Sequence, residues 1–480
     1  MFLIILHICL IILFTSRILW RNDLDPIARL AWFAVLMLLP YIGIAIYWLF
    51  GENNIGKEAS AKYKAFFQQF KQRYPTLIST INYSPAQKLI ELPYQPAFNY
   101  ASSINGFHTL SGNSAELMPD AQLARQRLIK DIQQAKDSVH ILYYIWLEDH
   151  TGITVAQALI DAAKRGVTCR VMVDGLGSRL FIKSSYWQQM EQAGIQLAVA
   201  FSLKNPIKTI LTSRLDLRNH RKITLIDNKI VYCGSQNCAD PEFRIKPKFA
   251  PWVDILLRFE GGVVQQMQLL FFSDWLVATG ENLIPLEFQP QPFKIQDKGI
   301  LAQVVGDGPT ERKNASPQLF ATLFSVAREQ IILSTPYFVP DPMTIESLCA
   351  AALRGIKVTI IFPKYNDSWI VSAASRSHYF ALLNAGVTIY EYKLGLLHAK
   401  TLTIDNKVSF IGSTNLDLRS FNLNYENNIL LQDEKTTTAI YQRQLDYISQ
   451  SELVTLTQII NQPIWKQIWQ NVIATLGPVL

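Results

Sequence analysis

Two histidines, two lysines and two aspartates recur in this chain at one spacing, first as His220, Lys222 and Asp227 and again as His398, Lys400 and Asp405. Each set runs on into a Gly-Ser-x-Asn stretch, Gly234-Ser235-Gln236-Asn237 and Gly412-Ser413-Thr414-Asn415, at the same separation from its histidine. An imidazole can attack or carry a proton near neutral pH, and an ammonium beside it can neutralise an anionic group. A single His-x-Lys in a strand is usually a solvated polar face. Two copies with constant internal spacing predict one active site assembled from two halves.

The elements that must hold these residues follow from periodicity. Residues after each lysine alternate as a half-buried strand does, so His220 with Lys222, and His398 with Lys400, share a face and can converge on one bound group. Asp227 and Asp405 fall on the opposite face by parity, which predicts that they brace the motif. The Gly-Ser pairs are expected to make the turns that follow. Asp254 and Glu426 come after the two motifs at comparable distances and are the carboxylates best placed to orient the imidazoles.

Around the motifs the order of elements repeats. A helix at 120–136, a strand at 138–146, a helix at 153–165, a turn at Gly166 and a strand ending at Asp174 are matched by a helix at 317–328, a strand at 330–338, a helix at 344–354, a turn at Gly355 and a strand at 357–362. Strands alternating with long helices predict an α/β fold with central mixed sheets flanked by helices. The expected organisation is an N-terminal membrane hairpin over 1–56, a linker over 57–100, and two similar domains over 101–290 and 291–480.

The hairpin rests on two apolar blocks, 2–15 and 30–50, the second about 31 Å long as a helix and so able to cross a bilayer core. Arg17, Arg21 and Arg29 lie between the blocks, and Lys57, Lys62, Lys64, Lys71 and Arg73 follow them. The larger basic count after the second block places the body on the cytoplasmic side. Five cysteines without a CxxC pair favour reduced thiols in that compartment. His and Cys do not cluster at metal-ligand spacing, so no structural zinc is expected. A net charge of +7 suits an anionic membrane surface or a phosphate-bearing substrate, and on charge alone leaves nucleic acid open.

The chain resembles bacterial cardiolipin synthases of the phospholipase D superfamily. The resemblance is carried by the paired motifs, by Asp174-Gly-Leu-Gly-Ser178, Thr335-Pro-Tyr-Phe-Val-Pro340 and Gly412-Ser-Thr-Asn-Leu-Asp-Leu-Arg-Ser420, by the segment from Ala31-Trp32 to Phe50-Gly-Glu52, and by the ending Gly477-Pro-Val-Leu480. It implies tandem phospholipase D-like domains in the inner membrane that convert two phosphatidylglycerol molecules to cardiolipin and glycerol without metal or nucleotide. It also implies that His220, Lys222, Asp227, His398, Lys400 and Asp405 are the catalytic set. On this reading His220 is the nucleophile and His398 the acid and then the base. Lys222 and Lys400 hold the phosphoryl oxygens, with Ser235, Asn237, Ser413 and Asn415 as donors.

Two stretches could meet the lipid surface. Residues 203–218 interleave basic and apolar side chains, and Ile464, Trp465, Ile468, Trp469, Val472, Ile473 and Leu476 form a stripe that fits a membrane or a core equally well. Rival readings are a transferase using phosphatidylethanolamine, a hydrolase using water, a superfamily nuclease, and a scaffold with a decayed site. The apolar N-terminus argues against the nuclease, and two intact motifs argue against the scaffold.

Overall fold

In the computed structural model the residues described are 2–22, 24, 26–52, 56–74, 85–202, 213–214, 216–284, 288 and 299–475. Each half repeats one strand arrangement. Ser138–Tyr143 lies between a parallel neighbour, Thr168–Asp174, and an antiparallel one, Lys222–Ile226. Gln330–Ser334 lies likewise between Lys357–Pro363 and Thr401–Ile404. These strands are apolar on both faces, and alternate side chains enter different cores: Val139 and Ile141 pack with residues of the helix His150–Lys164, whereas Leu142 packs with the helix Gly262–Thr279.

The two expected sheets are one. Leu110–Leu117 pairs antiparallel with Ile300–Asp307, so that sixteen strands among the described residues run through both halves without a break. The pairing satisfies backbone groups that would otherwise line two open edges at the centre of the molecule.

The described parts of the segment expected to be a linker, 57–74 and 85–100, pack into the body. The helix Lys57–Arg73 buries Tyr63, Phe66, Phe67 and Phe70, spaced as one helical face, in the same core as Gly262–Thr279. Tyr63 also donates to Glu311 of the second half at 2.7 Å.

The N-terminus differs most from expectation. Helix α1 (Phe2–Trp20) is followed by α2 (Pro26–Leu38) and α3 (Pro40–Phe50), so the apolar run 30–50 is broken. Pro40 supplies no N–H and disfavours helical geometry at Leu39, which sits at φ −136° and ψ 67°. The chain folds back there: Trp32 and Tyr47 have ring centroids 5.2 Å apart, and a Cβ on Gly43 would meet the Val35 carbonyl oxygen at 2.9 Å. Arg21 binds Glu52 at 2.8 Å and Arg17 binds it too, closing a small three-helix unit. Among the described residues no helix is long and apolar enough to cross a membrane. The run 30–50 is thus two short helices and not the single spanning helix expected.

Candidate active site

Two short parallel strand pairs cross between the halves and set the histidines in place. Arg218–Asn219 pairs with Asn424–Tyr425, and Leu396–Leu397 pairs with Trp252–Val253. The register continues into the next residue: the His220 N–H donates to the Tyr425 carbonyl at 2.9 Å and the His398 N–H to the Val253 carbonyl at 2.8 Å. The residues that follow on the partner strands are Glu426 and Asp254. Each carboxylate therefore serves the histidine of the other half, not the motif it follows in sequence.

Both Glu426 oxygens lie 3.0 Å from His220 Nδ1, and Asp254 Oδ1 lies 2.6 Å from His398 Nδ1. A carboxylate only accepts, so Nδ1 carries the proton and Nε2 presents its lone pair to a substrate. Lys222 Nζ and Lys400 Nζ donate to the carbonyls of His220 and His398, at 2.6 and 2.7 Å. The sets share one electrostatic environment, since the charge on Lys400 acts on His220 and that on Lys222 acts on His398.

Burial dominates the titration of these groups. It pushes His220 down to about 4, Glu426 opposing it and Lys222 adding to it. His398 is lowered by burial and by Lys400. Lys222 falls to about 8 and Lys400 to about 7, again through burial, which Glu426 and Asp254 respectively oppose. Burial raises the two carboxyl groups, but the histidines and lysines outweigh it and hold both below their usual range. These shifts leave two neutral imidazoles, two carboxylates and two ammoniums close to losing their protons. A bound phosphodiester supplies the negative charge that keeps those ammoniums protonated.

The serines stand elsewhere than expected. Ser235 donates to Asp254 Oδ1 at 2.6 Å and Ser413 donates to Glu426, so each hydroxyl commits its one proton to an orienting carboxylate. Asn237 accepts from the Ile145 N–H at 3.2 Å, which leaves its amide hydrogens free for donation. Asn415 Nδ2 reaches Ser420 at 3.3 Å. Gly234 and Gly412 do not form turns; a Cβ on either would meet a neighbouring strand carbonyl, of Ile255 or Asn427, at 2.2 Å.

Asp227 and Asp405 lie away from the imidazoles, in the hairpin turns. Both have left-handed backbone, at φ 50° and 52°, a conformation Asp tolerates. Asp227 accepts from the N–H groups of Lys136, Asp137 and Ser138, and Asp405 from those of Arg328, Glu329 and Gln330. From these turn positions they hold the start of the adjacent strand.

Three residues at the site escaped sequence reasoning. The Tyr144 ring stands edge-on to His220 with centroids 4.8 Å apart and lies 5.6 Å from Lys222 Nζ. Trp252 lies 4.6 Å from the ring of His398. Arg221, fully buried, bonds the Glu426 carbonyl through Nε at 3.0 Å and Asp274 at 2.8 Å. The signal for Arg221 was available: parity turns it away from His220 and Lys222 into the core, and Asp274 is the one acid in the otherwise uncharged helix Gly262–Thr279. Among the described residues no cluster of His, Cys, Asp and Glu is arranged to hold a metal ion.

The paired motifs, joined across a common sheet, define a phospholipase D-like protein. The structure aligns with phosphatidylserine synthase of Haemophilus influenzae at a TM-score of 0.60 over 81% of this chain and 100% of that one, at 12% identity, a likeness of fold. The family described as cardiolipin synthase, PLD-like domain, matches residues 128–248 and 320–448, and a phospholipase D-nuclease N-terminal family matches residues 4–52. Cardiolipin synthase A of Serratia proteamaculans is 35% identical over 97% of this chain and 95% of its own length, and that of Yersinia pseudotuberculosis is 34% identical over the same shares. The chain belongs to the cardiolipin synthase family, phosphatidyltransferases of the phospholipase D type.

Proposed function

We propose that the protein joins two phosphatidylglycerol molecules into cardiolipin and glycerol through a phosphohistidine on His220. The negative charge of the bound phosphodiester favours the imidazolium of His398, which takes up a proton on Nε2; His220 Nε2 then attacks the phosphorus of the first lipid, the bond to the glycerol oxygen breaks, and that oxygen takes the Nε2 proton of His398. His398, now a base, removes a proton from a hydroxyl of the second lipid, whose oxygen forms the new ester bond as the P–N bond breaks. Lys222 and Lys400 neutralise the non-bridging oxygens in both steps, and Asn237 adds a donor. Glu426 and Asp254 keep each imidazole in the tautomer the steps require.

The observation that carries this reading is the crossed pair of Nδ1-bound histidines between two buried lysines: two equivalent acid/base groups serve two successive displacements at one phosphorus. The apolar N-terminal unit seats the protein in the bacterial inner membrane with its body on the cytoplasmic side; Leu13, Leu19, Trp20, Leu30, Leu38 and Ile42 point outward from that unit. Anionic lipid is then both solvent and substrate.

Incubating the full-length protein in membranes containing phosphatidylglycerol alone, followed by lipid mass spectrometry, tests the reaction. Cardiolipin and glycerol are expected. Phosphatidic acid without cardiolipin overturns transfer in favour of hydrolysis, and activity only when phosphatidylethanolamine is added overturns the donor. Quenching with lipid labelled in its phosphate tests the nucleophile: an adduct that persists in His220→Ala assigns attack to His398.

A further inference from the structure

The helix Ile464–Thr475 is turned inside out. Gln470 and Ile473 face the body, with Gln470 and Gln467 bonded to Gln462, while Ile464, Trp465, Ile468, Trp469 and Val472 face outward. Ile464 is 74% exposed and Trp465 71%. An ordinary surface helix does the reverse, since apolar area left in water forfeits burial free energy. Trp369, at the start of the helix Trp369–Ser377, stacks on Trp469 with centroids 5.8 Å apart and is itself 63% exposed, which extends the outward face.

Charge selects what covers it. No acid occurs from 369 to 384 or from 455 to 475, and of the two cations there Arg376 is paired with Glu391 at 2.9 Å, which leaves Lys466 on the outward helix. Tryptophan with isoleucine beside a lysine and no acid matches the headgroup region of an anionic bilayer. The face also adjoins the active site: Asp367, two residues before Trp369, accepts from the Tyr337 hydroxyl at 2.7 Å, and the neighbouring pair Phe338–Val339 with Leu416–Asp417 leads directly to Asn415.

We propose that the helices Ile464–Thr475 and Trp369–Ser377 form a platform that rests the catalytic body on an anionic phospholipid surface beside the mouth of the active site. This contact is separate from the N-terminal unit. It deepens the lipid-transfer reading and rests on it for the choice of lipid, yet it stands on surface chemistry that can be measured without turnover. The platform keeps the mouth at headgroup depth, where the second lipid is abundant and water is scarce.

The test uses full-length protein in phosphatidylglycerol-containing vesicles, with Cys9 and Cys349 replaced by serine and a nitroxide on Ile468→Cys. Oxygen is expected to reach this label in preference to a water-soluble nickel chelate, whereas a label on the exposed Lys435→Cys stays open to the chelate. Equal chelate access at both positions overturns the platform. Protection at 468 that follows protein concentration in detergent, independent of lipid, also overturns it and assigns the face to a second copy of the chain. In a kinetic arm, Trp465→Glu with Ile468→Glu is expected to raise the surface KM for phosphatidylglycerol about tenfold with kcat retained. Turnover of monomeric short-chain phosphatidylglycerol is expected to stay unchanged, and an unaltered surface KM sinks the proposal. Should monomeric turnover fail as well, the label at 468 decides alone, and synthase failure in the wild type leaves that result standing.

Discussion

In the first half of the site, His220 meets both oxygens of Glu426 at 3.0 Å; in the second, His398 meets one oxygen of Asp254 at 2.6 Å. Glu426 sits inside the strand Asn424–Gln432, which is paired on both sides, by Ile300–Asp307 and by Val408–Gly412. Asp254 sits in the short gap between Trp252–Val253 and Leu256–Glu260. The longer side chain reaches out from a fixed strand, and the shorter one is carried close by a break in the backbone. Two different backbones thus deliver the same chemical pair, and because each acid belongs to the other half, neither half holds a complete histidine–carboxylate pair by itself.

The largest effect should come from removing the crossed charges. Glu426→Gln and Asp254→Asn are each expected to lower kcat by about 10²- to 10⁴-fold, since an amide no longer fixes the reactive tautomer or stabilises an imidazolium. Turnover in mixed micelles measures this. The exchange also predicts which titration each substitution disturbs: Glu426 is the first carboxylate supporting the charge on Lys222, and Asp254 the first supporting Lys400. A loss below about threefold in either variant would mean that the carboxylates serve folding and not the chemistry.

A smaller effect distinguishes the lysines. Burial leaves Lys400 at about 7 and Lys222 at about 8, so each is charged below its own value and neutral above it. Rising pH should therefore weaken phosphodiester binding, Lys400 losing its charge first, with kcat/KM falling about tenfold per pH unit once a needed proton is lost. Lys400→Arg keeps a cation throughout, so its alkaline fall should begin at higher pH than in the wild type. Glu426→Gln should move the Lys222 limb to lower pH, and Asp254→Asn the Lys400 limb. Identical profiles for all four proteins would show that neither ammonium controls binding in this range.

How much of this was legible in the sequence depends on whether the information was local. The repeat, the strands at 138 and 330, and the shared face of each His–Lys pair follow from spacing, because side-chain direction in a strand is set by parity. The exchange of Asp254 and Glu426 does not, since it depends on strand pairs between residues some two hundred positions apart, as in His220 with Glu426. Hydropathy marks the apolar run 30–50, and because a membrane helix tolerates a proline, Pro40 inside that run does not by itself reveal the turn. The helix Lys57–Arg73 looked like a linker because its outer face is charged; its aromatic spacing, Tyr63, Phe66, Phe67 and Phe70, carried the core signal.

The finest difference between the halves lies beneath the site, at the two hairpin turns. Asp227 and Asp405 each accept three backbone N–H groups, but Asp405 also accepts from the Tyr94 hydroxyl, at 2.9 Å. Asp227→Ala leaves those donors without their acceptor and is expected to cost about 2 kcal/mol, read as a lower urea midpoint; Asp405→Ala should cost about 1 kcal/mol more. Turnover well below the midpoint should be preserved in both, because neither carboxylate approaches an imidazole. Tyr94→Phe alone should cost about 1 kcal/mol. Added to Asp405→Ala it should cost almost nothing further, since the partner it served is already gone. Full additivity of those two substitutions would separate Tyr94 from Asp405, and reduce the contrast between the two turns to the side chains around them.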